Sequence, residues 1–267
     1  MDFPILGRHN DRLKQIRSLN SASSRERAGV FLVEGLRVVG ELLASKVRIN
    51  LLLLADDAGA EAQGLAQEAV ARGGEVYRVE RQLLEQLAPT KTCQGVLAVA
   101  QLPAGTWEQL SACKRLIILD GVQDPGNVGT LLRSARAFGF EGALCLGGAD
   151  PFNARAVRAA AGAVFTLPLV RVSDAEQSGL WLERALRAGF SLVTAAAHGG
   201  EDLAAVRFPE RLALVLGAEV SGISKEADAR ALVQVTIDLK GGCESLNVAA
   251  AGAVLMYEIN RRGIGEF

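Results

Sequence analysis

Three short stretches of this chain hold residues whose types and spacing could do chemistry. One is Gly241-Gly242-Cys243-Glu244-Ser245-Leu246-Asn247-Val248, followed by an apolar run over residues 249–259. Two glycines let a backbone bend sharply and come close to a ligand. Ser245 and Asn247 are of the type that caps helix N-termini, so a helix starting here would aim free N–H groups and its positive dipole end into the turn. That suits a polar or anionic ligand, although an ordinary capped helix after a loop has the same residues. The second stretch is Asp120-Gly121 and the turn-rich loop 123–129, leading to Arg133 and Arg136, and the third is Gly217-Ala218-Glu219-Val220-Ser221-Gly222. None contains the P-loop signature or the G-x-G-x-x-G dinucleotide fingerprint, so ordinary nucleotide hydrolysis and NAD chemistry lose ground.

Each stretch follows a segment that reads as a strand: the apolar runs 116–119 and 212–216, and residues 233–237. Helical patterns at 128–138, 153–161 (with Arg155 and Arg158) and 181–188 alternate with further strands at 143–146 and 191–195. This alternation predicts an open, mostly parallel sheet with helices on both faces, in which a ligand lies beyond the carboxyl ends of the strands. Ahead of it, strands at 31–35, 49–54, 75–79 and 95–100 alternate with helices at 36–43, 61–72 and 81–87, a small α/β sandwich with nothing catalytic in it. Residues 101–106 have linker composition. The expected domains are therefore 1–105 and 106–267.

The chain's 267 residues, 49% of them hydrophobic, are ample for packed cores, and no apolar run reaches the roughly 18–20 residues that span a bilayer. Residues 1–20 are polar and charged, unlike a signal peptide, so a cytoplasmic location is expected. Cys93, Cys113, Cys145 and Cys243 are scattered, and His9 and His198 are the two histidines; reduced thiols are expected, with no metal. A net charge of −1 and a pI near 6.2 argue against gripping nucleic acid by bulk charge. Locally, Arg8, Arg12, Lys14, Arg17, Arg25 and Arg27 crowd against only Asp11 and Glu26, either a solvated helix face or a phosphate-contacting arm.

At these residues the sequence resembles the SpoU (TrmH-type) family of RNA ribose 2′-O-methyltransferases. The first family motif matches residues 120–139, with its asparagine and arginine as Asn127 and Arg133. The second matches 214–224, with Gly217 and Glu219. The third matches 237–258, around Glu244-Ser245-Leu246-Asn247. The likeness covers most of residues 115–262. The N-terminal part is similar, around 25–43 and 92–99, to the small ribosomal-protein-like RNA-binding domain that precedes the catalytic domain in many members. Asp238 and Leu239 depart from the pattern, where members commonly have proline and methionine.

The resemblance implies a C-terminal sheet whose chain is threaded into a deep trefoil knot (SPOUT-like), a topology that general rules of chain connection would not have proposed. It implies bent S-adenosylmethionine held largely by backbone groups, with Gly217, Ile237 and Leu246 at the cofactor-contact positions. It also implies a homodimer with the active site built across the interface. The reaction would be in-line attack of a ribose 2′-oxygen on the sulfonium methyl, leaving the protein to align the reactants and help remove a proton.

Arg133 is the family's proposed catalytic arginine. Because arginine stays protonated, holding an RNA phosphate and stabilising developing negative charge suits it better than acting as a base. Asn127 orients Arg133 or the ribose, or caps a helix; Glu219 pairs with a cation, fixes its loop, or is a surface glutamate. Ser245 and Asn247 hydrogen-bond substrate or catalytic groups and can cap the last helix as well. Arg155 and Arg158 are RNA-contact candidates or solvated arginines. Ribosomal RNA is favoured over tRNA because of the N-terminal domain. The alternatives are a tRNA 2′-O-methyltransferase, a related enzyme that methylates a base, and a non-catalytic RNA-binding module with a degenerate pocket.

Overall fold

The computed structural model describes residues 3–89, 93–241 and 243–262; Thr92 and Gly242, singled out above, lie outside the described residues. It divides into two compact units, Met1–Pro103 with Phe152–Thr166, and Ala104–Pro151 with Leu167–Phe267.

The first unit opens with helices α1 (Asp11–Ser18) and α2 (Ala22–Ala28), capped by the side chains of Asn10 and Ser21. The basic run is partly spent inside the unit. Arg8 pairs with Glu80, Lys14 with Asp11, and Arg12 with Glu75, while buried Arg25 donates to the Leu19 carbonyl at 2.7 Å. The exposed side chains of Arg17 and Arg27 make no hydrogen bond or ion pair among the described residues. Then follow β1 (Val30–Glu34), α3 (Leu36–Ala44), β2 (Ile49–Ala55), α4 (Ala60–Ala71), β3 (Glu75–Val79), α5 (Arg81–Leu87) and β4 (Val96–Gln101). The sheet order is β1-β4-β2-β3, with β4 antiparallel to both neighbours and β2 parallel to β3.

The second unit runs α6 (Trp107–Ser111), β5 (Arg115–Asp120), α7 (Pro125–Ala137) and β6 (Gly142–Leu146). The next helix, α8 (Ala154–Ala160), belongs to the first unit. After it come β7 (Leu169–Val172), α9 (Ser178–Arg187), β8 (Ser191–Ala195), β9 (Glu201–Asp202), β10 (Leu212–Gly217), α10 (Lys225–Asp228), β11 (Val233–Thr236) and α11 (Val248–Arg262). The seven strands lie in the order β7-β6-β5-β10-β8-β11-β9, and every pairing is parallel, as the alternation of elements predicts. Central strands β5 and β10 read as unbroken apolar runs because both faces are covered. Leu116, Ile118, Ala213 and Val215 pack under α6, α9 and α10. On the other face α11 packs along α7; a Cβ on Gly252 would come within 2.4 Å of Leu131 and 2.7 Å of Leu216.

Sequence order placed residues 152–166 in the second domain, whereas in space they group with the first unit. The physical reason is aromatic burial: the rings of Phe152 and Phe165 stand 5.2 and 6.2 Å from that of Phe31. No helix among the described residues is long and apolar enough to cross a membrane.

Candidate active site

The three strand-end stretches are built by different local devices. At the end of β5, buried Asp120 accepts a 2.7 Å hydrogen bond at Oδ2 from the Ser224 backbone N–H. Asp124 then caps α7 by accepting from the Asn127 backbone N–H at 3.0 Å, with Pro125 in the first turn. The segment from Pro125 onward, expected as loop, is thus the opening of the helix, and Asn127 is held on rigid backbone.

At the end of β10, Ala218 and Gly222 exchange both backbone hydrogen bonds at 2.9 Å, closing a tight hairpin with Gly222 at φ +69°. A Cβ on Gly217 would lie 2.2 Å from the Gly222 carbonyl carbon, so only glycine fits there. At the start of α11 the cap is Asn247, whose Oδ1 accepts from the backbone N–H groups of Ala249 (2.9 Å) and Ala250 (3.4 Å). The Ser245 hydroxyl makes no hydrogen bond among the described residues.

One side chain from each stretch joins a single hydrogen-bonded chain. Asn247 Nδ2 donates to Asn127 Oδ1 at 3.2 Å, and Asn127 Nδ2 donates to Glu219 Oε1 at 2.7 Å. The Gln123 backbone N–H reaches Glu219 Oε2 at 3.4 Å. With both ends of its amide engaged, Asn127 has one orientation. Burial pushes the Glu219 carboxyl up, but hydrogen bonds from Asn127 and from the backbone N–H groups of Glu219, Gln123 and Asp124 outweigh it. The carboxyl is held below its ordinary value and stays ionised at neutral pH.

The loops after β10 and β11 enclose a cavity of about 410 Å³ lined by Gly217, Glu219, Ile237, Ser245, Leu246 and Asn247 among others. Six of the eight residues singled out from the sequence therefore face one space, and Asn127 is tied to two of them. Arg133 does not join them. It lies exposed on α7, outside the cavity lining, with no hydrogen bond or ion pair among the described residues. Six residues beyond Asn127, it points about a third of a turn away around the helix. Of the departing pair, Leu239 lines the cavity and exposed Asp238 pairs with Lys240.

Sequence reasoning named Asp120 only as part of a stretch and gave it no role, and it missed the run Ala195-Ala196-Ala197 at the end of β8, which forms part of the wall. Small residues at the end of an apolar strand were the available signal for that run, whereas an acid after Leu119 is too ordinary to be one. Arg155 and Arg158 are exposed on α8, and His198 is exposed. Burial pushes the Cys113 and Cys145 thiols up to about 11 and about 12, which makes them inert core residues. Among the described residues no cluster of three or more candidate ligands could hold a metal ion.

The family model described as the SpoU rRNA Methylase family matches residues 114–257, over half the chain and all three stretches. The protein belongs to the SpoU rRNA methylase family. A second model, an MRM3-like substrate binding domain, matches residues 10–98. The chain is 28% identical over 251 residues to the 23S rRNA (guanosine(2553)-2′-O)-methyltransferase RlmP of Bacillus subtilis, covering 94% of this chain and 96% of that protein. It is 29% identical over 263 residues to a 23S rRNA (uridine(2479)-2′-O)-methyltransferase of Streptomyces viridochromogenes, covering 96% and 91%.

Among solved structures it resembles the SpoU methyltransferase AviRb of Streptomyces viridochromogenes in complex with the cofactor AdoMet. That match has a TM-score of 0.81 and 28% identity, over 95% of this chain and 98% of that one. An AdoMet-bound rRNA methyltransferase from Sinorhizobium meliloti gives a TM-score of 0.82 at 27% identity, over 98% of each chain. Within this SpoU chain the cavity and the Asn247–Asn127–Glu219 chain both fall inside the matched segment.

Proposed function

We propose that this protein transfers a methyl group from S-adenosylmethionine to a ribose 2′-hydroxyl of RNA, with ribosomal RNA favoured over tRNA, in the cytoplasm. The observation that carries the reading is the convergence of Gly217, Ile237 and Leu246 on one cavity with Glu219, Ser245 and Asn247. Its volume falls within the roughly 300–1,000 Å³ common for small-molecule sites. Leu216, Val235, Ile237 and Leu239 offer apolar wall for an adenine ring, while Glu219, Ser245 and the backbone of the Gly217 hairpin offer partners for polar groups. The residues present therefore fit the cofactor, and Gly217, Ile237 and Leu246 would hold it. When bound, it supplies an electrophilic sulfonium methyl.

The chain's own residues supply alignment and charge. Arg133, permanently cationic and free of internal partners among the described residues, takes the RNA phosphate beside the target ribose and stabilises negative charge growing on the 2′-oxygen. Asn127 holds Glu219 and Asn247 in register, and the free Ser245 hydroxyl is the hydrogen-bonding partner for the ribose. Because Arg133 does not line its own cavity, the active site is completed by a second copy. The face used is that of α7 and α11, where Val254 and Tyr257 are exposed at 42% and 53%. The knot implied by the family lies in the segments that line the cavity. The first unit holds the RNA and the second carries the reaction.

The test is transfer of labelled methyl from S-adenosylmethionine to unmodified ribosomal RNA and tRNA transcripts, with cofactor binding measured separately. Label in ribosomal RNA that is lost in Arg133→Ala, with cofactor binding retained, supports both reaction and site. Absence of cofactor binding in the wild-type protein leaves only the RNA-binding module.

A further inference from the structure

The first unit carries a second cavity, unrelated to the strand-end loops. The pairings Glu75–Leu51, Leu51–Val99 and Val99–Leu32 run as one row across β3, β2, β4 and β1. Helices α1 and α2 cover this face, and their cover leaves a groove of about 620 Å³. Its floor is apolar: Ile16, Val30, Leu51 and Val99. Its rim is polar: Gln15, Arg27 and Asn50, all exposed, with side chains that make no hydrogen bond or ion pair among the described residues. Asn50 is there for a structural reason. The β2–β4 register slips between Ile49 and Leu51, so Asn50 is the extra residue of a bulge, left out of the pairing and exposed beside the buried Leu51. Bulges of this kind re-aim a side chain at the expense of ladder hydrogen bonds. The remaining wall is pre-set: Arg12 bonds Glu75 and, at 2.9 Å, the Tyr77 hydroxyl, which itself donates to Glu75 at 2.6 Å. Arg12 thus meets the charge of the one acid in the lining, and the charge left over is the cation Arg27.

We infer that this groove docks an unstacked base of single-stranded RNA, with Asn50 and Gln15 reading its edge and Arg27 holding a flanking phosphate. The inference rests on the reading of RNA as substrate. A base has flat apolar faces and an edge of alternating donors and acceptors; an apolar floor rimmed by two free amides matches both. Splayed bases of loops and bulges are what proteins read in RNA, since side chains cannot read the deep groove of its duplex. The excess positive charge complements the adjoining backbone. All lining residues but Val99 lie within the segment matched by the substrate binding domain model.

The test uses the full-length protein and an unmodified 23S ribosomal RNA transcript. It measures RNA affinity at several salt concentrations, the KM and kcat for methyl transfer, and S-adenosylmethionine affinity, for the wild type, Asn50→Ala, the isosteric Asn50→Asp and Arg27→Ala. Asn50→Ala is expected to weaken RNA binding and raise the RNA KM about tenfold, the scale of one good amide–base contact. Its kcat, its cofactor affinity and its salt dependence stay unchanged, and Asn50→Asp is weaker still. Arg27→Ala lowers the slope of log affinity against log salt by about 0.7. RNA affinity equal to wild type in both Asn50 variants overturns the groove, whatever the methylation. Wild-type binding without methyl transfer, still weakened by Asn50→Ala, supports the groove and fails the proposed reaction instead.

Discussion

Asn127 and Arg133 sit on the same helix yet do different things. Asn127 has its amide committed at both ends, so Asn127→Ala breaks the link between Glu219 and Asn247. Its expected effect is a fall in kcat with a modest rise in the KM for S-adenosylmethionine, read from steady-state kinetics. Arg133→Ala removes no side-chain hydrogen bond or ion pair among the described residues. Its expected effect is a loss of about 10²–10³ in kcat, the size typical of one lost charge-stabilising group, with cofactor affinity and melting temperature unchanged by calorimetry. The role of Asp120 was not legible: an acid after Leu119 is ordinary, and only the fold brings the Ser224 N–H to its oxygen.

At the level of elements, the β10 hairpin is the part with least freedom. Gly217→Ala would drive a methyl group into backbone atoms of Gly222 that cannot move without opening the hairpin. The expected result is at least tenfold weaker S-adenosylmethionine binding by titration calorimetry, as the cavity wall shifts. The strands β5 and β10 were legible as apolar runs because both their faces are buried. Strand β7 was not: it has four residues, follows Pro168 and carries Arg171, which is too short and too polar to show a period. The start of α7 was misplaced because Asp-Pro-Gly-Asn serves a turn or a helix opening equally well, and the Asp124 cap decides between them. The cavity loops after β10 and β11, and the β5 end whose Asn127 is tied to them, were legible because strand ends followed by glycine have a fixed place in a parallel sheet. Membership of residues 152–166 was not, since rings meet in space and not in sequence.

At the scale of the whole molecule, light scattering is expected to give close to twice the chain mass of 28.1 kDa. Tyr257→Glu should reduce this to the monomer and abolish methyl transfer while leaving cofactor binding, because Arg133 then has no partner cavity to serve. The end of α11 also carries a pH-dependent contribution. The hydrogen bond from Arg261, opposed by burial and reinforced by Arg262, holds the Glu258 carboxyl down to about 2. A depressed carboxyl stabilises the fold fully above its ordinary value of 4.5, and that contribution is lost as pH falls through the folded value. Glu258→Gln should therefore lower the melting temperature by about 2 °C at pH 7, and the difference from wild type should shrink as pH falls from 4.5 towards 2.

The most direct measurement is the chemical identity of the product. Unmodified ribosomal RNA labelled by the protein from S-adenosylmethionine is hydrolysed to nucleosides and the labelled species identified. Recovery of the label as a 2′-O-methylnucleoside, absent with Arg133→Ala, is the predicted result. Label on a base, or a wild-type protein that binds the cofactor and leaves ribosomal RNA unlabelled, would contradict the account.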